Sequence, residues 1–524
     1  MMRSSVWQNA SFGMKRSQVR ILSHQLRGCL DKHNLSLFTI NCTRGDLRMA
    51  KKKDEIRVSF RDSVSAEDVT GSCVYVKTPN HNILIDCGMH QSNSKLKDFM
   101  VNRRKYKGFK PKDIDLAFVR ENHADHTCLL PKLIRQGAHP KIIVPKYMSN
   151  LLKIILTDSA NINERDTELI NHQNDTSYEP IYTVDDVNKT MSMVVESEVN
   201  QKIKIDDEIS YQLFPNAHVY PSASLMLYIT VNNVTKTLFY TGDIGNTTPH
   251  LNAFVGDFMG VNQANCVITE ATYGDREKLR IGVKERQNDL NKLTTVIDNT
   301  IHQLKGKVLI PTFAQSRSQQ IAYYLYKSLG EGIDFDIYID SPLSIQIFNE
   351  YDKVLQGDEL EEFHKLMNWK HLKFIDEAED SRMLCDSETP SVIIASSGFM
   401  THGRARHHAK KLITNPINSL IFMGYSSEDS LASQLKNKNV KTVNIDQKDY
   451  KVNCGIYNLK SFSGHIMCGQ LLDYIGNMNT ERVVIHHASK TAKENFAKLL
   501  KQKYENELKT TKVSCSNSSM TFTL

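Results

Sequence analysis

Glu121-Asn122-His123-Ala124-Asp125-His126 packs four potential metal ligands into six residues, directly after the apolar run Ile114, Leu116, Ala117, Phe118 and Val119. A buried strand that breaks into such a cluster presents several donors to one point in space. Imidazole nitrogen combined with carboxylate oxygen is the donor set of a catalytic divalent ion, whereas structural zinc prefers thiolates. The competing reading, a solvated loop that happens to be rich in histidine, loses ground because matching partners follow along the chain.

Those partners also close apolar runs. Ile83-Leu84-Ile85-Asp86 ends in a carboxylate, Leu213-Phe214 leads to His218, and Leu238-Phe239-Tyr240 breaks into Thr241-Gly242-Asp243. Much later, Phe462-Ser463-Gly464-His465 and Val483-Val484-Ile485-His486 repeat the theme. Any one of these alone reads as a capped turn or a satisfied core histidine. Together they supply the strand-end His and Asp groups that a dinuclear site needs.

On these residues the chain resembles the metallo-β-lactamase fold and, within it, the β-CASP nucleases, including the endonuclease of the eukaryotic pre-mRNA 3′-end cleavage complex and related bacterial and archaeal ribonucleases. The family signature His-x-His-x-Asp-His stands here as Glu121-x-His123-x-Asp125-His126. Glu270-Ala271-Thr272-Tyr273 resembles motif A, Ser461–His465 motif B and Val483–His486 motif C. Ile310–Arg317, Tyr338–Pro342 and Ser396–Arg404 resemble the inserted domain. The resemblance runs from about Val58 to the C-terminus. It implies an α/β architecture: a metallo-β-lactamase αββα sandwich carrying an inserted β-CASP α/β domain.

The resemblance also implies a site. Glu121, His123 and His218 fall to one metal, and Asp125, His126 and His486 to a second, with Asp243 bridging. Asp86 would orient a ligand histidine from behind, as is usual for metal-bound imidazole. Asp125, Glu270 and His465 are the catalytic set, with His465 protonating the leaving oxygen and Glu270 holding its ring. Arg317, Ser396, Ser397, Gly398, Gly403 and Arg404 would bind RNA phosphates without reading bases. The implied cofactors are two divalent ions, zinc first, with manganese or iron an alternative at the Glu121 side because carboxylate is the harder ligand. The implied reaction is hydrolysis of single-stranded RNA in a cleft between the two domains. A catalytically weakened RNA-binding scaffold and a DNA or small-molecule hydrolase of the same fold are the alternatives, and a homodimer stays open. Restoring histidine at Glu121 is expected to raise zinc-supported hydrolysis. Met467 stands where several relatives have Asp, a change without a physical account in the sequence.

Composition sets the bounds. A chain of 524 residues accommodates two or three domains with sizeable cores. Mean hydropathy is -0.41, and no apolar run approaches the roughly 18 residues of a membrane span. The ten cysteines are scattered, with no C-x-x-C pair, which fits a reducing compartment. The net charge is +7, but residues 1–48 hold eight Lys/Arg against Asp31 and Asp46, so +6 sits there and +1 in the remainder. Any basic groove must therefore be local.

Residues 1–48 show no sustained periodicity and read as a leader outside the folded unit. Arg- and Ser-rich composition suits a mitochondrial presequence. The favoured alternative is translation through an upstream tRNA gene. Gln18–Leu22 can be encoded by a T-arm consensus and Arg44-Gly45 by a ribosome-binding sequence, so that Met49-Ala50-Lys51-Lys52-Lys53 is the start of a cytoplasmic protein.

Beyond the leader, the expected parts are residues 49–272 (first part of the sandwich), 273–417 (β-CASP) and 418–524 (return part). Val74–Val76 and Asn82–Asp86 read as paired strands, and Lys146–Ala160 as a helix. In the insert, helices at Val283–Leu304 and Ser318–Leu329 alternate with strands at Lys307–Pro311, Phe335–Asp340 and Val392–Ala395, the rhythm of a parallel sheet flanked by helices. His407 and His408 are expected on the helix after Gly403, facing solvent or phosphate, and Thr491–Tyr504 is expected as a helix before a last strand.

Overall fold

A computed structural model describes residues 54–524 except 93, 249–250, 277–278, 425 and 427–429. The leader and the proposed start at Met49 lie outside the described residues.

Two seven-stranded sheets face each other. The first runs Thr521–Thr523, Arg57–Ser59, Val74–Lys77, Asn82–Ile85, Leu116–Phe118, Lys141–Pro145 and Val194–Ser197. The second runs Lys512–Cys515, Asn479–Ile485, Gln263–Thr269, Val234–Tyr240, Ala223–Val231, Ile209–Pro215 and Ile203–Lys204. Side chains alternate across each strand, as the pleat requires. Leu225, Leu227 and Ile229 enter the core between the sheets with Val58, Ile85, Phe118 and Val484, while Met226 faces outward. Helices cover both outer faces. Ser149–Asn174 and Val184–Met191 pack on the first sheet, and Cys468–Asn477 and Lys490–Asn506 on the second. This is the expected αββα sandwich, and its last strand closes it by pairing antiparallel with Arg57–Ser59.

The insert is a six-stranded, wholly parallel sheet in the order Leu372–Ile375, Ile337–Asp340, Val392–Ala395, Val308–Pro311, Ser419–Met423 and Gly455–Leu459. Apolar clusters fill both of its faces. Ser419–Met423 and Gly455–Leu459 are part of this sheet, so it runs on to Leu459 rather than stopping at residue 417. The apolar pattern of those two strands resembles that of the sandwich strands, which is why sequence periodicity alone misassigns them. The insert is tied to the sandwich beside the ligand cluster. Gln315 Nε2 donates to Asn122 Oδ1 (2.6 Å), Tyr220 Oη to the Val354 carbonyl (3.0 Å) and Arg286 Nη2 to the Ser461 carbonyl (2.6 Å).

Candidate metal centre

Most of the polar side chains gather where several strands end together. Ile85 pairs with Phe118 in parallel, and Tyr240 aligns with Ile268 and Ile268 with Val484. The loops carrying Asp86, Glu121–His126, Asp243, Glu270 and the histidine pair after Ile485 therefore leave from one edge, the usual place for sites on such sheets. Backbone contacts lock two of these loops. The Cys87 and Met89 amides donate to the His126 and Ala124 carbonyls (2.8 and 2.9 Å). A Cβ on Gly88 would lie 1.6 Å from the Asp125 carbonyl oxygen. Gly245 admits the His218 loop in the same way, a Cβ there meeting the Ala217 oxygen at 1.6 Å.

Among the described residues three groups that could hold a metal ion result: Asp125, His126, Asp243 and His487; Glu121, His123 and His218; and His218, Asp243 and His465. Asp243 Oδ2 lies 3.3 Å from His126 Nε2 and 3.9 Å from His218 Nε2. Glu121 Oε2 lies 3.3 Å from His123 Nδ1 and 3.5 Å from His218 Nε2. Asp86, Glu121 and His126 are inaccessible, whereas the side chains of His123, Asp125 and His465 keep 26%, 21% and 20% exposure and form an open rim.

His486 is not in the cluster, and the motif C expectation is corrected to His487. His486 prolongs the strand and points, like Val484, between the sheets. Its Nε2 meets Ser65 Oγ at 2.8 Å, its Nδ1 meets Ser516 Oγ at 3.0 Å, and burial drives its pKa far down. The chain then turns at His487, whose φ is +47°. That turn brings His487 Nε2 to 3.3 Å from Asp125 Oδ2 and Nδ1 to 3.1 Å from Asp243 Oδ1.

The electrostatics fit a bound cation. Burial opposes ionisation of Asp243, yet His487 and His126 outweigh it and hold its pKa well below the carboxylate range. Burial likewise opposes charge on His487, but Asp243 and Asp125 push its pKa up to about 10. Asp243 Oδ1 and His487 Nδ1 are buried and face each other without a hydrogen bond. Carboxylates and imidazoles forced together out of water, with donor atoms left unbonded, suit divalent ions.

Further polar groups lie against the cluster. Asp86 Oδ2 lies 2.9 Å from His126 Nδ1. His465 Nδ1 lies 3.2 Å from Glu270 Oε2, while Glu270 Oε1 accepts from the Ile244 amide (2.6 Å). Burial disfavours charge on His465, but Glu270 outweighs it and lifts its pKa above the ordinary histidine value. His218 Nδ1 donates to the Gly464 carbonyl (2.8 Å), so the motif B segment also orients His218. Met467 packs with Leu251, Tyr273 and Ile281.

The phosphate set fares differently. Arg404 is committed within the insert, Nη1 to Asp340 Oδ1 (3.0 Å) and Nη2 to the Asp376 carbonyl (2.8 Å). Arg317 is 8% exposed and supports motif B, Nη1 donating to the Phe462 carbonyl (2.9 Å). In the Ser396–Gly403 turn, Ser396 Oγ bonds Ser341 Oγ (2.6 Å), Ser397 Oγ donates to the His402 carbonyl (3.3 Å), and the Met400 and Ala405 amides donate to the Ser397 and Ser396 carbonyls (3.1 and 2.9 Å). A Cβ on Gly398 would come within 3.2 Å of the Phe313 backbone nitrogen, and Gly403, at φ +80°, sits where a Cβ would meet the Ser396 oxygen at 2.7 Å. His408 is fully buried on Asp340 (2.6 Å), not facing solvent or phosphate. The sequence reading did not single out Arg120, which lies at the centre of the buried charges. Its signal was available: a cation set between an apolar strand and the ligand run.

Comparison with known families agrees with this architecture. The Metallo-beta-lactamase superfamily model matches residues 66–189, the Beta-Casp domain model residues 318–435, and the Zn-dependent metallo-hydrolase RNA specificity domain model residues 449–511. The chain belongs to the metallo-β-lactamase superfamily as a member with an inserted β-CASP domain. Among its relatives are Ribonuclease TTHA0252 of Thermus thermophilus, 27% identical over 83% of this chain and 94% of that protein, and Transcription termination factor FttA of Methanocaldococcus jannaschii, 27% identical over 86% and 70%. Probable RNase MJ4 of the same archaeon is 25% identical over 82% and 93%.

Proposed function

We propose that the protein is a metal-dependent ribonuclease that hydrolyses phosphodiester bonds of single-stranded RNA at this cluster. The observation that carries the reading is the convergence of Glu121, His123, Asp125, His126, His218, Asp243 and His487 beneath an open rim that also holds His465. Glu121, His123 and His218 would hold one divalent ion and Asp125, His126 and His487 a second, with Asp243 shared. Zinc suits this imidazole–carboxylate set. Bound by these residues, divalent ions would supply an activated water and neutralise phosphoryl charge.

The rest falls to the chain itself. His465, its Nδ1 on Glu270, turns Nε2 toward the substrate and delivers a proton to the departing oxygen. The fixed Glu270 prevents the ring from rotating between turnovers. A cavity of about 140 Å³ beside motif A, lined by Tyr273, Arg276, Ser426, Lys436, Asn458 and Lys460, offers three cations and, among its described lining residues, no carboxylate. It suits backbone phosphates better than the self-bonded Arg404 does. The names of the relatives and of the matched RNA specificity domain favour RNA over DNA. Parallel assays on RNA and DNA oligonucleotides of one sequence test this: only the RNA is cut, and equal cleavage of both would overturn the substrate assignment.

A further inference from the structure

We propose that Arg120 is a positioning residue that makes Glu121 workable as a metal ligand, the two forming one charge-balanced unit in place of a neutral imidazole. The inference rests on the metal-site reading above and deepens it.

Arg120 is fully buried, lies 4.8 Å above the Tyr240 ring centre, and donates through Nη2 to Glu121 Oε1 (2.9 Å) and to Asp86 Oδ2 (2.7 Å). Its Nε also reaches Asp86 Oδ2, at 3.0 Å. Glu121 is thereby divided. Oε1 accepts from the guanidinium and also lies 3.3 Å from His126 Nε2, and Oε2 is left facing His123 and His218. Oε2 is thus the oxygen that would be offered to an ion, as a histidine nitrogen would be.

The charges balance in the same way. Exchanging imidazole for carboxylate adds one negative charge to the site, and Arg120 adds one positive charge directly behind it. A buried charge is tolerable only when paired, and Arg120 supplies the positive partner that Glu121 needs while Asp86 shares the guanidinium. Gly242 completes the arrangement. At φ +59° it lies where a Cβ would stand 1.4 Å from Arg120 Nη1, so the guanidinium occupies space that a side chain would fill.

The sequence-based expectation for Glu121→His changes accordingly. With Arg120 kept and still held by Asp86, the histidine variant leaves the buried group one charge more positive than in the parent. Zinc affinity should then fall about 10- to 100-fold, the usual cost of disturbing groups behind a ligand. In the Arg120→Met/Glu121→His double variant the balance returns, and affinity should recover to within a few-fold of the parent. Glu121→Gln keeps the shape and removes only the charge. It should lose affinity like Glu121→His, which guards against a misfolded histidine variant.

The experiment is competition between the full chain and a zinc-chelating dye, run alongside thermal unfolding in chelator. The unfolding scan should show positions 120 and 121 coupled, the Arg120→Met/Glu121→His double variant lowering the midpoint by less than the sum of the Arg120→Met and Glu121→His losses. If Glu121→His binds zinc as tightly as the parent and the second substitution adds nothing, the proposal is wrong while the metal site stands. If the parent itself binds no zinc, the metal-site reading falls and takes this inference with it.

Discussion

His487 Nδ1 stands 3.1 Å from Asp243 Oδ1, and neither buried atom has a hydrogen bond. Two adjacent histidines close the same strand, and backbone direction alone decides which one joins the cluster. His487→Ala should remove metal and abolish hydrolysis. His486→Ala should keep both and instead lose stability, about 2 kcal/mol, because Ser65 and Ser516 lose their partner inside the protein. Metal analysis and melting of the two variants separate the residues; metal loss in His486→Ala alone would reverse the assignment.

Gly242→Ala should destabilise the fold severely, because the new methyl collides with Arg120 in an already full interior. Gly137→Ala is the control. It also has positive φ, +90°, but nothing within 4 Å, so it bears only the backbone cost of roughly 1 kcal/mol. Denaturant unfolding measures both, and equal losses would show that the guanidinium yields.

His465→Ala should lower kcat by about 10²- to 10⁴-fold, the range for losing a positioned proton donor, while leaving bound metal unchanged. Glu270→Gln should cost less, since the amide still faces Nδ1. Metal loss in His465→Ala would instead make His465 a ligand, an arrangement the His218–Asp243–His465 grouping allows.

Lys436 carries the pH prediction. Burial, followed by repulsion from Arg276, pushes its pKa down to about 8. The charged form is therefore disfavoured in the fold, and between about 8 and the ordinary lysine value the unfolded chain holds the extra proton, so stability rises with pH in that window. Phosphate binding needs the charged form and should weaken as pH passes 8. Fluorescence anisotropy with single-stranded RNA and chelated protein should show that fall, and Lys436→Arg should remove it. A flat profile in the parent would take Lys436 out of the RNA path.

Much of this was legible in the chain. Ligands at strand ends announce themselves because an apolar run that stops at His or Asp has few other uses, and the parallel insert showed itself through alternating Val308–Pro311, Arg317–Leu329 and Ile337–Asp340. Other features depended on three-dimensional facts that no local pattern encodes. The choice between His486 and His487 rests on one positive φ. Arg404 and His408 looked available for phosphate until Asp340, far away in sequence, proved to bind both. Arg120 was overlooked because a lone cation at a strand end ordinarily reaches solvent, and only the fold shows Asp86, Glu121 and Gly242 closing around it.

The most direct test of the central claim is metal content measured together with RNA cleavage on the purified chain, parent against Asp243→Ala. In this account the parent carries two divalent ions per chain and cuts single-stranded RNA, chelation stops the cutting, and Asp243→Ala, lacking the shared ligand, loses both metal and activity. An Asp243→Ala protein that keeps its metal and cuts at the parental rate, or a parent that cuts RNA with no metal bound, would contradict it.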